Sequence, residues 1–253
     1  MKVKVLASGS KGNCTYIETE TNKILIDVGI STSRIEKKLG EIGVNPKAID
    51  SVFITHAHVD HTQGLEVFSK KYKSKIYMTE KMKTKGRVRV EQIVNIKGEI
   101  KINNMTVTPI KLSHDNTETN GYLIEENDKT IVYITDTGYV HEKNYELLKN
   151  RTVYIIESNH DLEMLSESEK YPFPLKQRIR SDQGHLSNNT ASLYLSDLIG
   201  PKTKKVVLAH ISEETNTPER AIKTLKEKLK EKKIKFKNIV AATQDEGSEV
   251  FEI

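Results

Sequence analysis

Apolar residues in this chain gather in short runs that end abruptly in polar residues. KVKVLAS, CTYIETE and KILIDVG open the sequence as three such runs, rich in Val, Ile and Leu and bounded by Gly, Asn or Thr-Asn turns, so each predicts a short strand. The period then changes. After Ser31 and Ser33, residues Ile35, Leu39 and Ile42 stand three or four apart and Gly43 stops the helix they predict. SVFITHAHVDHTQG reads as a buried strand running into a histidine-rich turn, followed by a helix from Leu65 to Tyr72 and a strand at KIYMT. From Gln92 to Tyr133 the pattern predicts hairpins through MTVTPIKL, NGYLIEEN and TIVYITD. TVYIIES and KKVVLAH predict two further apolar strands, and SEVFEI a closing edge strand. Helical patterns lie around Glu142 to Leu148, Asn189 to Leu198 and Pro218 to Leu229, the last with Thr217 as N-cap and Pro218 at the first helical position.

This alternation supports an α/β (α+β) class. Two βα-rich halves of similar size predict one domain over residues 1–253, built as two sheets with helices outside, a four-layer αββα sandwich. A chain of 253 residues can bury a full core without staples. No apolar run approaches the ~20 residues of a membrane helix, and MKVKVLASGSKGN reads as a first strand rather than a signal peptide. The single cysteine, Cys14, excludes an internal disulfide framework, fits a reducing cytoplasm and reads as a small packing residue. Lys and Arg number 40 against 35 Asp and Glu, a net charge of +5, which permits a polyanionic partner without establishing one. KEKLKEKKIKFK, the most basic stretch, reads as a solvated helix face.

The chemistry is concentrated in Thr55-His56-Ala57-His58-Val59-Asp60-His61. His56, His58, Asp60 and His61 are four potential metal ligands directly after a buried strand, where a turn can aim them into one cleft. Imidazole and carboxylate suit borderline divalent metals, Zn²⁺ and Mn²⁺ alike. The HxHxDH run resembles the signature of the metallo-β-lactamase superfamily, whose fold is the αββα sandwich. That resemblance implies further ligands at strand ends, matched here by His114 after VTPIKLS, Asp136 after IVYIT and His210 after VVLA. It implies one metal on His56, His58 and His114, a second on Asp60, His61 and His210, and Asp136 bridging them. Asp60 is thereby placed with the catalytic groups. Two such ions would hold a bridging hydroxide and clamp an in-line displacement.

The loop Gly184-His185-Leu186-Ser187-Asn188-Asn189 looks like the His-Ser-Thr loop of ribonuclease Z, which implies His185 as the general acid and Ser187 as a substrate contact. Ser187 or Asn188 could equally be a plain helix cap. Ile156-Glu157-Ser158-Asn159-His160-Asp161 stands where ribonuclease Z carries a His-Glu-Ala-Thr loop, and only Glu157 carries over, as the carboxylate that orients His185. Asn159, His160 and Asp161 either touch substrate or cap the next helix. The loop from Ala7 to Cys14 could offer an anion its backbone N–H groups with Ser8, Ser10 and Asn13, or form a simple turn. Lys176, Arg178 and Arg180 would share one face on a strand and spread on a helix, and Arg178 is a candidate phosphate contact.

Nearly end to end, through SGSKGN, ILIDVG, THAHVDHTQG, ITDTG, IESNHD, YPFPLKQRI, GHLSN and LAHIS, the chain is similar to the YycJ/WalJ branch of that superfamily. Only residues 62–113 separate His61 from His114, so the large β-CASP insertion of ribonuclease J-type nucleases is missing. The resemblance implies a cytoplasmic, metal-dependent 5′-to-3′ exonuclease acting on DNA ends in mismatch repair, with two divalent ions, Zn²⁺ or Mn²⁺. Rival readings are an RNA-processing nuclease, a small-molecule thioester or lactone hydrolase, and a non-catalytic nucleic-acid-binding module.

Overall fold

The structure, a computed structural model, describes all residues except 87, 116 and 117. The first sheet sets β1 (Lys2–Ala7), β2 (Cys14–Glu18), β3 (Lys23–Ile26), β4 (Ser51–Phe53), β5 (Lys75–Met78) and β6 (Ile93–Asn95) side by side in chain order. The second does the same with β7 (Ile100–Ile102), β8 (Met105–Leu112), β9 (Thr119–Glu126), β10 (Lys129–Ile134), β11 (Val153–Glu157), β12 (Lys205–Ala209) and β13 (Ile239–Ala241). The expected closing strand is the two-residue β14 (Phe251–Glu252), which pairs with β1 at the edge of the first sheet. Each sheet begins with antiparallel hairpins and becomes parallel from β3 and from β10 onward, where longer crossovers intervene.

Strand periodicity explains the layers. Along β3, Ile24 and Ile26 face the core shared by the two sheets, while Leu25 faces the opposite side. Along β11, Val153 and Ile155 join the shared core, and Tyr154 and Ile156 face away from it. Helices α1 (Thr32–Gly40), α2 (Val59–Thr62), α3 (Leu65–Tyr72) and α4 (Glu80–Gly86) follow strands of the first sheet; Ile35, Leu39, Leu65, Phe68 and Met82 pack on its outer face. With the second sheet come α5 (Tyr145–Leu148), α6 (Leu162–Glu167), α7 (Phe173–Arg180), α8 (Asn188–Leu198) and α9 (Pro218–Glu231). Leu195 and Leu198 of α8 and Leu225 and Leu229 of α9 cover its outer face. The result is the four-layer αββα sandwich. Phe53 stacks on Tyr77 with ring centroids 4.6 Å apart and meets Tyr122 of the other sheet edge-on at 5.6 Å, which ties the sheets together beneath the histidine loop.

Local details sort out the open alternatives. Ser187 caps α8 by accepting from the Thr190 N–H, Asp161 caps α6, and Thr217 caps α9 ahead of Pro218. The segment near 142–148 divides into a 3₁₀ turn, Glu142–Asn144, capped by His141, and then α5. LKQRIRS is helical, so Lys176, Arg178 and Arg180 do not share one face. Cys14 is fully buried in the core of the first sheet. The basic stretch after 226 lies on the outside of α9 and beyond, where Lys228 pairs with Glu231 at 2.6 Å.

Candidate metal centre

Six strands end at the same edge of the sandwich and deliver its acidic and imidazole groups. Asp27 follows β3, the loop from His56 to His61 follows β4, and His114, Asp136, Glu157 and His210 stand at the ends of β8, β10, β11 and β12. His56, His58 and His114 bring ligand atoms within 4.8 Å of one another, as do Asp60, His61 and His210. Asp136 lies between the two groups. Its Oδ2 is 3.3 Å from His61 Nε2, and its Oδ1 is 3.5 Å from His210 Nε2 and 3.9 Å from His114 Nε2.

The rings are turned by partners behind them. His61 Nδ1 donates to Asp27 Oδ2 at 2.7 Å, His210 Nδ1 to Glu157 Oε1 at 2.8 Å, and His114 Nδ1 to the Gly184 carbonyl at 3.1 Å. Each of these bonds holds the proton on Nδ1 and leaves an Nε2 lone pair for the cleft, the orientation that metal-ligating histidines adopt. His58 is turned the other way, with Nδ1 2.9 Å from His56 Nε2 and Nε2 facing Asp115 at 3.5 Å. Two buried atoms, His210 Nε2 and Asp136 Oδ2, have no hydrogen-bond partner among the described residues. Orphaned acceptors at the meeting point of two donor groups are costly unless a cation satisfies them.

Electrostatics agree with such a cation. Burial holds His56 and His58 below the ordinary imidazole range and takes His114 down to about 4, so these three present neutral nitrogens at pH 7. For Glu157, burial opposes ionisation, yet the His185 and His210 imidazoles outweigh it and hold the carboxyl at about 2. Asp136 is likewise fully buried, and His210 and His61 keep it well below the usual carboxylate range. Burial disfavours charge on His210 too, but Asp136 and Glu157 raise it to about 9. Ionised carboxylates in so dry a pocket demand positive charge, from protons on His210 and His61 or from a divalent ion in their place. The donor set of imidazoles and carboxylates therefore fits the metals expected from it.

Beside these groups stands His185. Its Nδ1 lies 2.7 Å from Glu157 Oε1, the oxygen that also binds His210, while Glu157 Oε2 accepts from the Thr137 and Leu186 N–H groups at 3.1 Å each. Glu157 thus locks two imidazoles and is itself fully satisfied. The other expected substrate residues divide. Ser10, Asn159 and Arg178 line a 190 Å³ pocket with His114 and His185. Ser8, Asn13, His160 and Ser187 are buried and line no part of it. Ser8 Oγ accepts from the His210 N–H at 2.7 Å, and the Asn13 amide lies within 3.4 Å of Asp60 and 3.1 Å of His61 Nε2, so both brace the candidate metal donors. His160 pairs along the chain with Ser187, and burial lowers its imidazole to about 4. In the loop from Ala7 to Cys14, the N–H groups of Ser8, Gly9, Lys11, Gly12 and Asn13 all donate within the protein.

Sequence reasoning passed over three residues. Asp27, fully buried, holds His61 and accepts from the Thr55 N–H at 2.8 Å and the Thr55 hydroxyl at 2.9 Å. A carboxylate closing an apolar run, as in ILIDVG, was the available signal. Asp115 lies 3.2 Å from His114 Nε2 and forms an ion pair with Arg178. Gly29 lets the chain pass the histidine loop, since a Cβ there would sit 1.6 Å from the Asp60 carbonyl oxygen. Asp27, Asp136 and His210 all adopt left-handed backbone, with φ of 60°, 57° and 52°, which turns each side chain sharply off its strand.

Comparison with known proteins agrees with this geometry. A family model described as a beta-lactamase superfamily domain matches residues 22–211. The chain is 38% identical to the exodeoxyribonuclease WalJ of Streptococcus pneumoniae over 237 residues, covering 90% of this chain and 88% of that one. It is 35% identical to the exodeoxyribonuclease YycJ of Bacillus anthracis over 235 residues, covering 90% and 89%. Among solved structures, the metallo-beta-lactamase fold protein YhfI from Bacillus subtilis superposes with a TM-score of 0.73 at 14% identity, over 99% of this chain and 98% of that one. The chain is therefore a hydrolase of the beta-lactamase superfamily and belongs to its branch with WalJ and YycJ.

Proposed function

We propose that this protein is a metal-dependent exonuclease that removes nucleotides from DNA ends in the 5′-to-3′ direction, as one domain over residues 1–253. The observation that carries this reading is the convergence of two donor groups, joined by Asp136, beside an imidazole held by Glu157. The names of the two relatives support DNA as the substrate.

His56, His58 and His114 would hold one divalent ion, and Asp60, His61 and His210 the other, with Asp136 shared. Zn²⁺ and Mn²⁺ both suit these donors. Bound, the pair supplies an acidified water and neutralises charge on the phosphate. The rest is done by the chain itself. Asp27, Glu157 and the Gly184 carbonyl fix the ligand rings before substrate arrives. Glu157 accepts the Nδ1–H of His185 and so aims its Nε2 at the cleft; with Nε2 protonated as well, the ring passes that Nε2 proton to the departing oxygen and returns to the neutral Nδ1–H form. Arg178, at the pocket rim, presents a guanidinium fork suited to a phosphate once it parts from Asp115. Its setting would be DNA mismatch repair in a reducing cytoplasm, a compartment that the lone buried cysteine fits.

The test is digestion of end-labelled single- and double-stranded DNA and RNA with Mn²⁺, Zn²⁺ or chelator. Stepwise release from the 5′ end of DNA, lost in chelator, is the expected result. Cleavage of RNA alone would make it an RNA-processing nuclease, and turnover of thioesters or lactones with no nuclease activity would favour a small-molecule hydrolase.

A further inference from the structure

The pocket beside His185 has two unlike walls. On one stand His114, His185 and Asn159, and on the other Tyr171, Leu175 and Ile179. The second wall belongs to α7 and the residue just before its Pro172 cap: Leu175 and Ile179 stand four apart, one above the other on the helix, and Tyr171 adjoins them from the extended chain before it. No side chain of α7 is fully buried. An amphipathic helix ordinarily turns its apolar stripe to the core; here that stripe looks into a catalytic cleft.

α7 is held at three points. The His185 N–H donates to the Ile179 carbonyl at 2.9 Å, Lys176 Nζ to the Ser166 carbonyl at 2.8 Å and Arg180 to the Leu162 carbonyl at 3.1 Å. Gly184 permits the close approach, because a Cβ there would lie 2.2 Å from the Ile179 oxygen. The helix is thus pinned by backbone and charged ends while its Tyr-Leu-Ile face stays open. A volume of 190 Å³ is small beside the ~300–1,000 Å³ of sites for drug-sized ligands, so one ring system fits rather than a dinucleotide.

We propose that Tyr171, Leu175 and Ile179 form a stacking platform for the base of the terminal nucleotide, holding its phosphate over the metal donors. The inference rests on the nuclease reading above and adds to it what positions the substrate. An aromatic face accepts every base, so the site reads the presence of a base and not its identity. Arg178, on the same helix and 58% exposed, would meet the adjoining phosphate.

The experiment compares two oligodeoxynucleotides that differ only at the end being released, one with a natural base and one with an abasic ring. Steady-state constants are measured for the metal-loaded wild type and for Tyr171→Ala, Tyr171→Phe and Leu175→Ala. Wild type should favour the base-bearing end by about 5- to 150-fold, chiefly through KM, with the four bases alike within a few-fold. Tyr171→Ala should erase that preference by slowing only the base-bearing substrate, and Tyr171→Phe should restore it. Leu175→Ala should reduce it. Equal turnover of both oligonucleotides by wild type would overturn the platform while leaving the nuclease reading intact. A Tyr171→Ala loss shared equally by both substrates would assign Tyr171 a structural role and also overturn it. Absence of cleavage of either would overturn the nuclease reading and this one together.

Discussion

Asp27 Oδ2 and His61 Nδ1 lie 2.7 Å apart, and neither side chain has any exposure to solvent. The two residues come from different strand ends, after β3 and within the loop after β4, and are joined further through Thr55. A buried carboxylate behind an imidazole fixes its tautomer and raises its basicity toward a metal. Asp27→Ala is therefore expected to weaken metal retention by about 10- to 100-fold while the fold persists. Chelator titration followed by metal analysis and far-UV circular dichroism measures both, and unchanged retention would remove Asp27 from the site.

His58→Ala and Asp136→Ala should each bring nuclease activity to background, because each takes a donor from the set that meets at the strand ends. His185→Ala should slow the reaction by about 10²- to 10⁴-fold, the scale of general acid catalysis, and leave metal content unchanged. Full activity in either donor variant contradicts the ligand assignment. Loss of metal in His185→Ala would make that histidine a ligand instead.

Gly29 is the point of closest passage between the β3 end and the histidine loop. Gly29→Ala puts a methyl group 1.6 Å from the backbone oxygen of Asp60, so the loop must move. A cost of about 1–3 kcal/mol is expected, together with weaker metal binding because Asp60 and His61 move with the loop. Denaturant unfolding and metal analysis on one sample test the pairing of the two losses. Gly43→Ala is the contrast: its surroundings are open, and its φ of 72° strains the backbone without touching the site.

Glu126 joins the sheets far from the metal donors. It accepts from the Thr19 hydroxyl at 2.8 Å, the Thr21 hydroxyl at 2.6 Å and the Glu20 N–H at 2.6 Å, so β9 of one sheet holds the turn after β2 of the other. Burial opposes its ionisation, but the bonds from Thr21, Glu20 and Thr19 prevail and hold it below the ordinary glutamate value of 4.5. A depressed folded-state pKa contributes stability that is present above the unfolded-state value and lost as pH falls through the folded one. Glu126→Ala should thus lower stability at pH 7 by about 1–3 kcal/mol, with the difference from wild type shrinking below pH 4.5. Urea melts at a series of pH values give the curve, and a gap that stays constant into acid would contradict the assignment.

Much of this protein is legible without coordinates, for reasons that are local. Continuous apolar runs such as KILI and VYIIE mark strands covered on both faces, and their successive side chains point alternately to the two faces because the strand period of two is a property of the backbone. The donor run His56-Ala57-His58-Val59-Asp60-His61 is equally plain, since four ligands after a buried strand have no packing use. Short-range caps at Thr217 and Ser187 follow from hydroxyl chemistry within three residues.

Other features depend on which strands become neighbours, and no local pattern carries that information. Asp27 becomes a brace for His61 only because β3 pairs parallel with β4, and Glu157 can hold both His185 and His210 only because β11 lies beside β12. The loop from Ala7 to Cys14 has the composition of an anion site, yet docking against Asp60, Thr243 and Gln244, with turns inside the loop, occupies the N–H groups of Ser8, Gly9, Lys11, Gly12 and Asn13. Tyr171, Leu175 and Ile179 come to line the cleft in a segment whose pattern left strand and helix open, and the tie between His185 and Ile179 holds them there. The sequence by itself determined the layers and the candidate metal donors, because periodicity and ligand chemistry are written residue by residue. Only the tertiary structure decided which residues support those donors and which face the substrate, because that rests on contacts between segments distant along the chain.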